Sequence, residues 1–523
     1  MATHRERPII DRARQVFVNR NLHMSGVELI GFDMDYTLAI YHLRRIEKLS
    51  FEMTVARLVA HHGYPKEIQR LGYDDHFVIR GLFVDKRYGN LIKIDRFGTV
   101  GRAFHGRRQL SEEELTRLYR NERIRLKNTE YAWIDTLFAL PEAYLFSEII
   151  EVLEVNGAQK LDYEKLYNDI RTAIDTVHRD NSLKRELKAD LGQYIYKDPE
   201  LGPALHKLRS GGKKLFLLTN SLWDYTDAVM KYLLDGVVAE YPSWRNYFDI
   251  VVTGASKPDF FSGSAPFLEI DSAAEGNTVI GEAATLERGK IYQGGNLTTF
   301  EKLSGSGGEK VLYVGDHIYG DILKSKKTSM WRTCMVVQEI EDEINYTLRR
   351  SDEIGVLNAI ELLRARLDDE IGTRRTSLNA LERRLEREAV EPAQKPALED
   401  ERKVLKAELD RLRKAYRECE SVAATLETDI EQGFNKFWGL HFKEGTENSR
   451  FGEQVEQYAC VYTSRVSNFL FYSPMQYFRS PRELMPHEQG GAPSGKLSPL
   501  GGEGLPKIAD AAPEQVPKRG RAF

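Results

Sequence analysis

Short runs of apolar residues recur along the chain, each bounded by polar residues or turn formers. A run of this length is typical of a strand that is buried on both faces of a sheet. The runs lie at 27–32, 213–221, 247–253, 310–316 and 331–337. Helical patterns lie between several of them, and strands that alternate with helices form βαβ units. The pattern therefore predicts an α/β protein with a Rossmann-like parallel sheet.

A long segment, residues 41–205, separates the first predicted strand from the second. Within it, residues 51–59 have the pattern of a helix, residues 76–80 and 90–95 that of short strands, and residues 111–191 are mostly helical in pattern. Because this block follows directly on the first strand, we predict a large, mainly helical cap, or substrate domain, inserted into the core.

Apolar residues spaced three or four apart mark the segment 356–425. They are Ile360, Leu363, Leu367, Ile371, Leu378, Leu381 and Leu385, followed after an interruption by Leu405, Leu409, Leu412, Tyr416 and Cys419. The stretch 390–396 between the two runs contains prolines, which break a helix. We therefore predict an antiparallel helical hairpin with a coiled-coil seam. The pattern leaves open whether the hairpin pairs within one chain or between subunits.

These patterns divide the chain into six parts. They are an N-terminal arm (1–26), a catalytic core (27–40 and 206–355), the cap (41–205), the hairpin (356–425), an aromatic-rich segment expected to pack on the core (426–487) and a tail (488–523). The tail is rich in glycine, proline and alanine, so we predict that it is disordered.

Composition and charge argue against several classes of protein. The formal net charge is -4 over 523 residues, so no basic excess points to a nucleic-acid partner. No stretch approaches the roughly 18 apolar residues of a membrane span, and the N-terminus lacks the apolar segment of a secretion signal. The three cysteines, Cys334, Cys419 and Cys460, are too few and too far apart for a disulfide framework or a zinc cluster. We therefore expect a cytoplasmic protein without a membrane partner.

Polar residues follow the predicted strands at the end where α/β sheets place their chemistry. They are Asp33 and Asp35 after the first strand, Thr219, Asn220 and Ser221 after the second, Lys257 after the third, and Asp316 and Asp321 after the fourth. Buried carboxylates need a cation between them, and Mg²⁺ prefers oxygen ligands. Two acid pairs, a hydroxyl and a lysine are suited to handling a phosphoryl group, with one carboxylate as the nucleophile.

The order of these motifs resembles the haloacid dehalogenase superfamily of phosphatases, and more closely its cytosolic purine 5'-nucleotidase family, which prefers IMP and GMP. The resemblance is carried by FDMDYTLA at 32–39, by KPDFF at 257–261 and by GDHIYGDILKSKK at 315–327. It also includes YGNLIK at 88–93, WRT at 331–333 and LMPHE at 484–488, and it spans about 27–345 and 430–488.

The resemblance implies a Mg²⁺-dependent hydrolysis of purine nucleoside 5'-monophosphates through an aspartyl-phosphate. Asp33 would be the nucleophile and Asp35 the general acid and base. Mg²⁺ would be held by Asp33, the backbone carbonyl of Asp35 and Asp316, with Asp321 in support. Thr219, Asn220 and Lys257 would bind the phosphate. The lysine-rich stretch 324–327 is expected to be a charged helix face; the alternative is a site for phosphate effectors, which the family has near such a region.

The resemblance also implies where the nucleoside binds. Arg171, Asp175 and His178 match the family's nucleoside-binding helix, with Lys184 following, and their spacing places the first three on one helix face. An acid there accepts the N1–H of a 6-oxopurine, which adenine lacks. The chain departs from the family at Arg107-Arg108 and at Arg179, where aromatic or amide residues are usual.

Two further expectations concern phosphotransfer and assembly, and two alternative functions stay open. Phosphotransfer to another nucleoside is compatible with an aspartyl-phosphate, and a homo-oligomer, dimer or tetramer, is expected. A phosphatase for another phosphomonoester is the first alternative. The second is a non-catalytic scaffold that uses the helical hairpin.

Overall fold

The computed structural model describes residues 10–125, 128–155, 157, 160–273, 277–323, 329–387, 391, 393–482 and 485. The chain divides into two units, Met1–Ser480 and Pro481–Phe523, and the elements below belong to the first. The tail predicted at 488–523 and the lysine-rich stretch 324–327 lie outside the described residues.

A ten-stranded central sheet forms the centre of the part that the structure describes. From edge to edge its strands are Phe17–Val18, Val461–Thr463, Arg332–Val336, Val311–Gly315, Leu29–Phe32, Lys214–Leu218, Ile250–Thr253, Ile291–Gly294, Phe267–Ile270 and Val279–Glu282. The strands from Val461–Thr463 to Ile291–Gly294 run parallel. The outer strands pair antiparallel. The sheet is therefore mixed, with the predicted parallel arrangement at its centre.

All five strands expected from the apolar runs belong to this parallel centre, and each is two to four residues shorter than its run. Successive side chains along them pack in different clusters, Ile30 and Leu217 in one and Leu29 and Phe216 in another. Side chains of a strand alternate between the faces of a sheet, so both faces are buried. This burial explains why the strands are apolar throughout.

Helices connect the strands and cover the sheet. In chain order they are Leu43–His61, Glu112–Tyr119, Leu140–Ile150, Tyr163–Arg179, Ser182–Ala189, Leu191–Tyr194, Leu201–Ser210, Trp223–Leu234, Leu297–Ser304, Ile340–Arg349, Ser351–Arg387, Lys395–Phe434 and Arg450–Tyr458. Among the described residues, none of the helices combines the length and the apolar character that crossing a bilayer requires.

The segment 41–205 contains a sheet as well as helices. Its strands, in the order Arg108–Gln109, Val100–His105, Asn90–Ile94, Phe83–Asp85 and Tyr131–Trp133, pair antiparallel. The strand expected at 90–95 is confirmed, and the one expected at 76–80 is wrong. The carbonyls of Phe77 and Arg80 bond instead to the rings of Trp438 and His441. These two rings supply hydrogen bonds that a neighbouring strand would otherwise make to this backbone.

A two-stranded ladder, here called the connector ladder, joins this segment to the rest of the chain. It pairs Ile40–Tyr41 with Ile195–Tyr196, antiparallel, with Tyr41 opposite Ile195. His42 N donates to Tyr194 O at 2.7 Å, which extends the pairing by one bond. The points where the chain enters and leaves the segment therefore lie side by side.

The helices Ser351–Arg387 and Lys395–Phe434 pack against each other as an antiparallel hairpin within the chain. Ion pairs join Arg374 to Glu408 at 2.9 Å and Lys406 to Glu382 at 3.1 Å. Leu363, expected in the seam, is 46% exposed. Arg364 lies in the seam instead, with its guanidinium 5.7 Å from the ring centroid of Tyr416.

The aromatic-rich segment after the hairpin contacts both the five-stranded sheet of residues 83–133, here called the small sheet, and the central sheet. Lys93 is buried, and its Nζ donates to the carbonyls of Trp438 and Leu440 at 2.7 Å each. Farther along, Val461–Thr463 lies between Phe17–Val18 and Arg332–Val336. The segment therefore ties the residues expected to form the cap and the N-terminal arm to the core.

Candidate active site

Three carboxylates meet at the carboxyl end of the central sheet and are here called the acid cluster. Asp33 follows the strand Leu29–Phe32, and Asp316 follows the adjacent parallel strand Val311–Gly315. Asp321 comes from the helical turn Ile318–Leu323. One oxygen from each lies within 4.8 Å of the others, and all three residues are buried. A Cβ on Gly315 would lie 2.5 Å from Asp321 Oδ2, so glycine leaves the space that this carboxylate occupies.

Lys257, in the loop after the strand Ile250–Thr253, reaches into the acid cluster. Its Nζ lies 3.0 Å from Asp33 Oδ1 and 2.6 Å from Asp321 Oδ1, and it donates to Tyr313 OH at 2.8 Å. Burial opposes the charged form, but Asp321 and Asp33 outweigh it and raise the pKa of Lys257. The ammonium group is therefore charged and bridges two of the three acids.

The acid cluster carries more negative charge than Lys257 neutralises. Burial, together with neighbouring carboxylates, raises the pKa of Asp33 and raises that of Asp316 to about 7. Asp316 Oδ2 is buried and finds no hydrogen-bond partner in the described part of the chain. A divalent cation would neutralise the excess, and an all-oxygen donor set suits Mg²⁺. The residues present therefore fit such an ion.

Arg80 fixes the position of Asp316 from the other side, and sequence reasoning missed it. Its Nη1 donates to Asp316 O at 2.9 Å and lies 3.7 Å from Asp316 Oδ2. Its Nε and Nη2 bind the carboxylate of Glu339 at 3.0 and 2.8 Å. No local motif in the sequence marks these residues, because they lie far apart along the chain.

The carboxyl group of Asp35 has different partners from that of Asp33. Its Oδ1 accepts a hydrogen bond from Tyr41 OH at 2.6 Å, and its Oδ2 accepts one from Ser221 Oγ at 2.7 Å. The side chain is not a member of the acid cluster. Proton transfer by this side chain and metal binding by its backbone carbonyl both stay predictions.

The loop Thr219–Ser221 holds the loop that carries Lys257. Asn220 Nδ2 donates to Lys257 O at 2.9 Å, and Asn220 Oδ1 accepts from Lys257 N at 2.6 Å. Thr219 is buried, and its Oγ1 accepts from Ser221 N at 3.1 Å. The structure thus brings Thr219, Asn220 and Lys257 together beside Asp33. Their binding of phosphate stays a prediction.

The helix Tyr163–Arg179 presents the residues expected to bind the nucleoside. Arg171 contacts Glu142 at 2.8 Å and Asp175 at 3.3 Å; Arg171 is exposed and Asp175 is half-buried. His178 packs its ring edge-on against Phe138 at 5.4 Å. Burial, with a smaller contribution from Lys184, lowers the pKa of His178 to about 4, so its ring is neutral at pH 7.

His178 and Lys184 approach the surroundings of Asp35 more closely than the other two. Phe138, beside His178, packs against the ring of Tyr41. Lys184 Nζ lies 3.3 Å from Ser221 Oγ. Among the described residues His178 Nε2 is buried without a hydrogen-bond partner, as expected of a group that meets a ligand.

Of the three arginines that depart from the family pattern, Arg107 and Arg108 have structural partners. Arg107 forms ion pairs with Asp74 and Glu148 and lies 4.1 Å over the ring of Phe77. Arg108 pairs with Glu114 at 2.8 Å. Arg179 is exposed at the end of its helix.

Glu47, on the helix Leu43–His61, is a buried carboxyl group outside the acid cluster. Its Oε2 accepts from Tyr73 OH at 2.9 Å. Its Oε1 is buried and unbonded within the described residues. Burial, reinforced by Asp75 and Glu339 and opposed by the Tyr73 hydrogen bond, raises the pKa of Glu47 to about 8.

This carboxyl group gives a pH-dependent prediction. Between about pH 4.5 and 8 the folded protein keeps a proton on Glu47 that the unfolded chain has lost, so this contribution to stability falls as pH rises. We expect Glu47→Gln to gain about 2–4 kcal/mol of unfolding free energy relative to wild type on going from pH 5 to pH 8.5. Urea denaturation at the two pH values measures it. Glu52→Gln, an exposed position on the same helix, is the control. An equal effect of Glu47→Gln at both pH values would contradict the assignment.

Comparison with known proteins gives a consistent result. The model of a family described as the 5' nucleotidase family matches residues 16–490. A 5'-nucleotidase domain-containing protein of Dictyostelium discoideum is 30% identical over 488 residues, covering 92% of this chain and 76% of the relative. The 5'-nucleotidase domain-containing protein 2 of Rattus norvegicus is 34% identical over 341 residues, covering 63% of this chain and 60% of the relative.

Proposed function

The chain belongs to the 5' nucleotidase family and is a phosphoric monoester hydrolase, and from this premise we propose that it is a Mg²⁺-dependent 5'-nucleotidase of the IMP/GMP-preferring type. The products are a nucleoside and phosphate. The observation that supports this proposal best is the separation of two carboxylates: Asp33 lies in the acid cluster against Lys257, whereas Asp35 is held by Tyr41 and Ser221.

In the proposed reaction Asp33 attacks phosphorus, and the bond from phosphorus to the 5'-oxygen breaks. Asp35 gives its proton to the leaving 5'-oxygen, so the first products are the nucleoside and an aspartyl-phosphate. Asp35 then takes a proton from a water molecule that attacks the phosphoryl group. This second step releases phosphate and restores both carboxyl groups. A nucleoside hydroxyl in place of water gives phosphotransfer.

The remaining residues bind and orient the phosphoryl group. Thr219, Asn220 and Lys257 bind its non-bridging oxygens, where charge develops in the transition state. Asp33, Asp316, the carbonyl of Asp35 and, in support, Asp321 would hold Mg²⁺, which supplies positive charge to these oxygens when bound. Arg80 keeps Asp316 in place.

We further propose that residues 41–205 act as the cap that selects the leaving group, with Arg171, Asp175, His178 and Lys184 at the nucleoside. The neutral, unbonded Nε2 of His178 and the closeness of Lys184 to Ser221 support this placement. The three described cysteines are free, which suits a cytoplasmic enzyme. The hairpin at 351–434 offers a surface for a homo-oligomer.

A nucleotide panel tests the proposed substrate class. With Mg²⁺ present, we expect kcat/KM for IMP and GMP to exceed that for AMP and ribose 5-phosphate by about 10- to 100-fold, the effect of one well-placed hydrogen bond to a charged group. Asp175→Asn should remove most of this preference, since it removes the charged acceptor for N1–H. Phosphate release measures both.

The control for this panel is Asp169→Asn on the same helix, where the carboxylate pairs with Lys165 at 2.5 Å. It should leave the preference unchanged. Equal activity on IMP and AMP in the wild type would refute the preference for 6-oxopurines, and a better sugar-phosphate substrate would favour a phosphatase for another phosphomonoester.

A further inference from the structure

Both carboxylate oxygens of Asp35 are hydrogen-bonded by side chains. Tyr41 OH donates to Oδ1 at 2.6 Å, and Ser221 Oγ donates to Oδ2 at 2.7 Å. Two donors on opposite oxygens restrict rotation of the carboxyl group about its last bond. A general acid and base must be held at a fixed angle to the atom it protonates. The two donors therefore decide where the proton of Asp35 points.

Tyr41 is fixed more firmly than a surface tyrosine would be. It is 3% exposed, and its ring packs against that of Tyr36 with centroids 4.9 Å apart. Its hydroxyl also lies 2.9 Å from Tyr225 OH. The hydroxyl is the donor in its bond to Asp35, because an ionised carboxylate can only accept.

The position of Tyr41 in the chain links its hydrogen bond with Asp35 to the segment 41–205. Tyr41 lies in the connector ladder, opposite Ile195, where the segment 41–205 joins the core. Lys184, from the same segment, contacts Ser221, the other donor to Asp35. The segment expected to select the leaving group therefore reaches both donors of the group expected to protonate it.

We propose that Tyr41 is a positioning residue for Asp35: its hydroxyl holds the carboxyl group toward the leaving oxygen during proton donation and toward water during proton removal. The proposal rests on the proposed function, since it takes Asp35 as the general acid and base. Tyr41 touches neither the phosphoryl group nor the nucleoside in this scheme. It acts through Asp35.

Tyr41→Phe tests the proposal, because it removes the hydroxyl and keeps the packing of the ring. We expect kcat for IMP to fall about 10- to 100-fold, part of the range that general acid–base catalysis contributes. KM should stay within about threefold, because ground-state binding does not use this hydrogen bond. The melting temperature of each variant shows whether it is folded.

The leaving group supplies a readout that a general structural defect would not give. Nitrophenolate departs from p-nitrophenyl phosphate without accepting a proton, so formation of the aspartyl-phosphate does not need Asp35 as an acid. Tyr41→Phe should therefore release a burst of nitrophenolate at the wild-type rate. Steady turnover afterwards should be slow, because hydrolysis of the intermediate still needs Asp35 as a base.

A double-variant cycle completes the test. If Tyr41 acts through Asp35, then Tyr41→Phe should change residual turnover by less than about twofold in an Asp35→Asn background. Tyr64→Phe is the matched control: Tyr64 OH donates to Asp169 Oδ2 at 3.0 Å, a similar bond away from the acid cluster, and its loss should leave kcat unchanged.

Three results would overturn the positioning role in an active wild-type enzyme. They are an unchanged kcat for IMP in Tyr41→Phe, a burst slowed as much as kcat, and an equal loss of turnover in both backgrounds of the cycle. A wild-type protein that turns over neither IMP nor p-nitrophenyl phosphate would instead refute the proposed function, so the two failures are distinguishable.

Discussion

Asp33→Asn should reduce nucleotidase turnover by at least about 10⁴-fold while the protein folds normally. An amide nitrogen and oxygen cannot replace a carboxylate as nucleophile, and losses on this scale follow removal of a covalent nucleophile. The substitution preserves shape in a buried position, where Asp33 is 9% exposed. Phosphate release from IMP measures activity, and circular dichroism and the melting temperature measure folding.

The covalent intermediate gives this prediction an independent readout. Rapid acid quenching followed by mass spectrometry should find a phosphoryl group on the peptide that contains Asp33 in the wild type, and none in Asp33→Asn. Asp368→Asn, at an exposed position on the hairpin, is the matched control and should retain full activity. Substantial Mg²⁺-dependent turnover by Asp33→Asn would refute the mechanism.

Lys257→Met should both stop catalysis and destabilise the protein in the absence of metal. The ammonium group lies between Asp33 and Asp321, and both are buried. Its removal leaves three buried carboxylates without the cation that bridges two of them. Breaking a buried ion pair in this way costs about 3–5 kcal/mol of unfolding free energy. Turnover should fall by at least about 100-fold, because a donor to the phosphoryl oxygens is lost.

The response to Mg²⁺ gives the Lys257→Met prediction a second measurement. Mg²⁺ should raise the urea midpoint of Lys257→Met more than that of the wild type, because a bound cation replaces part of the missing positive charge. Lys213→Met is the control, since Lys213 is also buried but its Nζ donates to the carbonyls of Met24 and Val27 rather than to acids. It should keep turnover and show no extra response to Mg²⁺. An unchanged urea midpoint for Lys257→Met without metal would contradict the bridging role.

The parallel centre of the sheet was predictable because its strands are buried on both faces. Such strands must be apolar at every position, as in Val311–Gly315, and continuous apolar runs are rare elsewhere in a soluble chain. In the small sheet, the buried strand Asn90–Ile94 was predicted, whereas strands with exposed residues, such as Arg108–Gln109, did not stand out. Residues 76–80 were predicted as a strand because they include an apolar run, but the carbonyl of Phe77 accepts a hydrogen bond from the ring of Trp438.

The acid cluster was predictable for a related reason. Parallel strands end at the same edge of a sheet, so Asp33 and Asp316 had to lie close together once both runs were recognised as strands. The groups that orient these carboxylates could not be predicted from the sequence. Arg80 and Tyr41 lie on segments with no motif of their own, and only the folded chain brings them to Asp316 and Asp35.

The strand Val461–Thr463 has a consequence for how the chain reaches its native state. It pairs with Phe17–Val18 on one side and Arg332–Val336 on the other, so one margin of the central sheet is completed by residues from both ends of the chain. During synthesis, more than 400 residues are added after Phe17–Val18 before its partner strand Val461–Thr463 exists. Contacts between residues so far apart in the sequence form slowly. Until they form, the unpaired edges of the strands stay exposed. We therefore expect this margin to be the last part of the central sheet to close during folding.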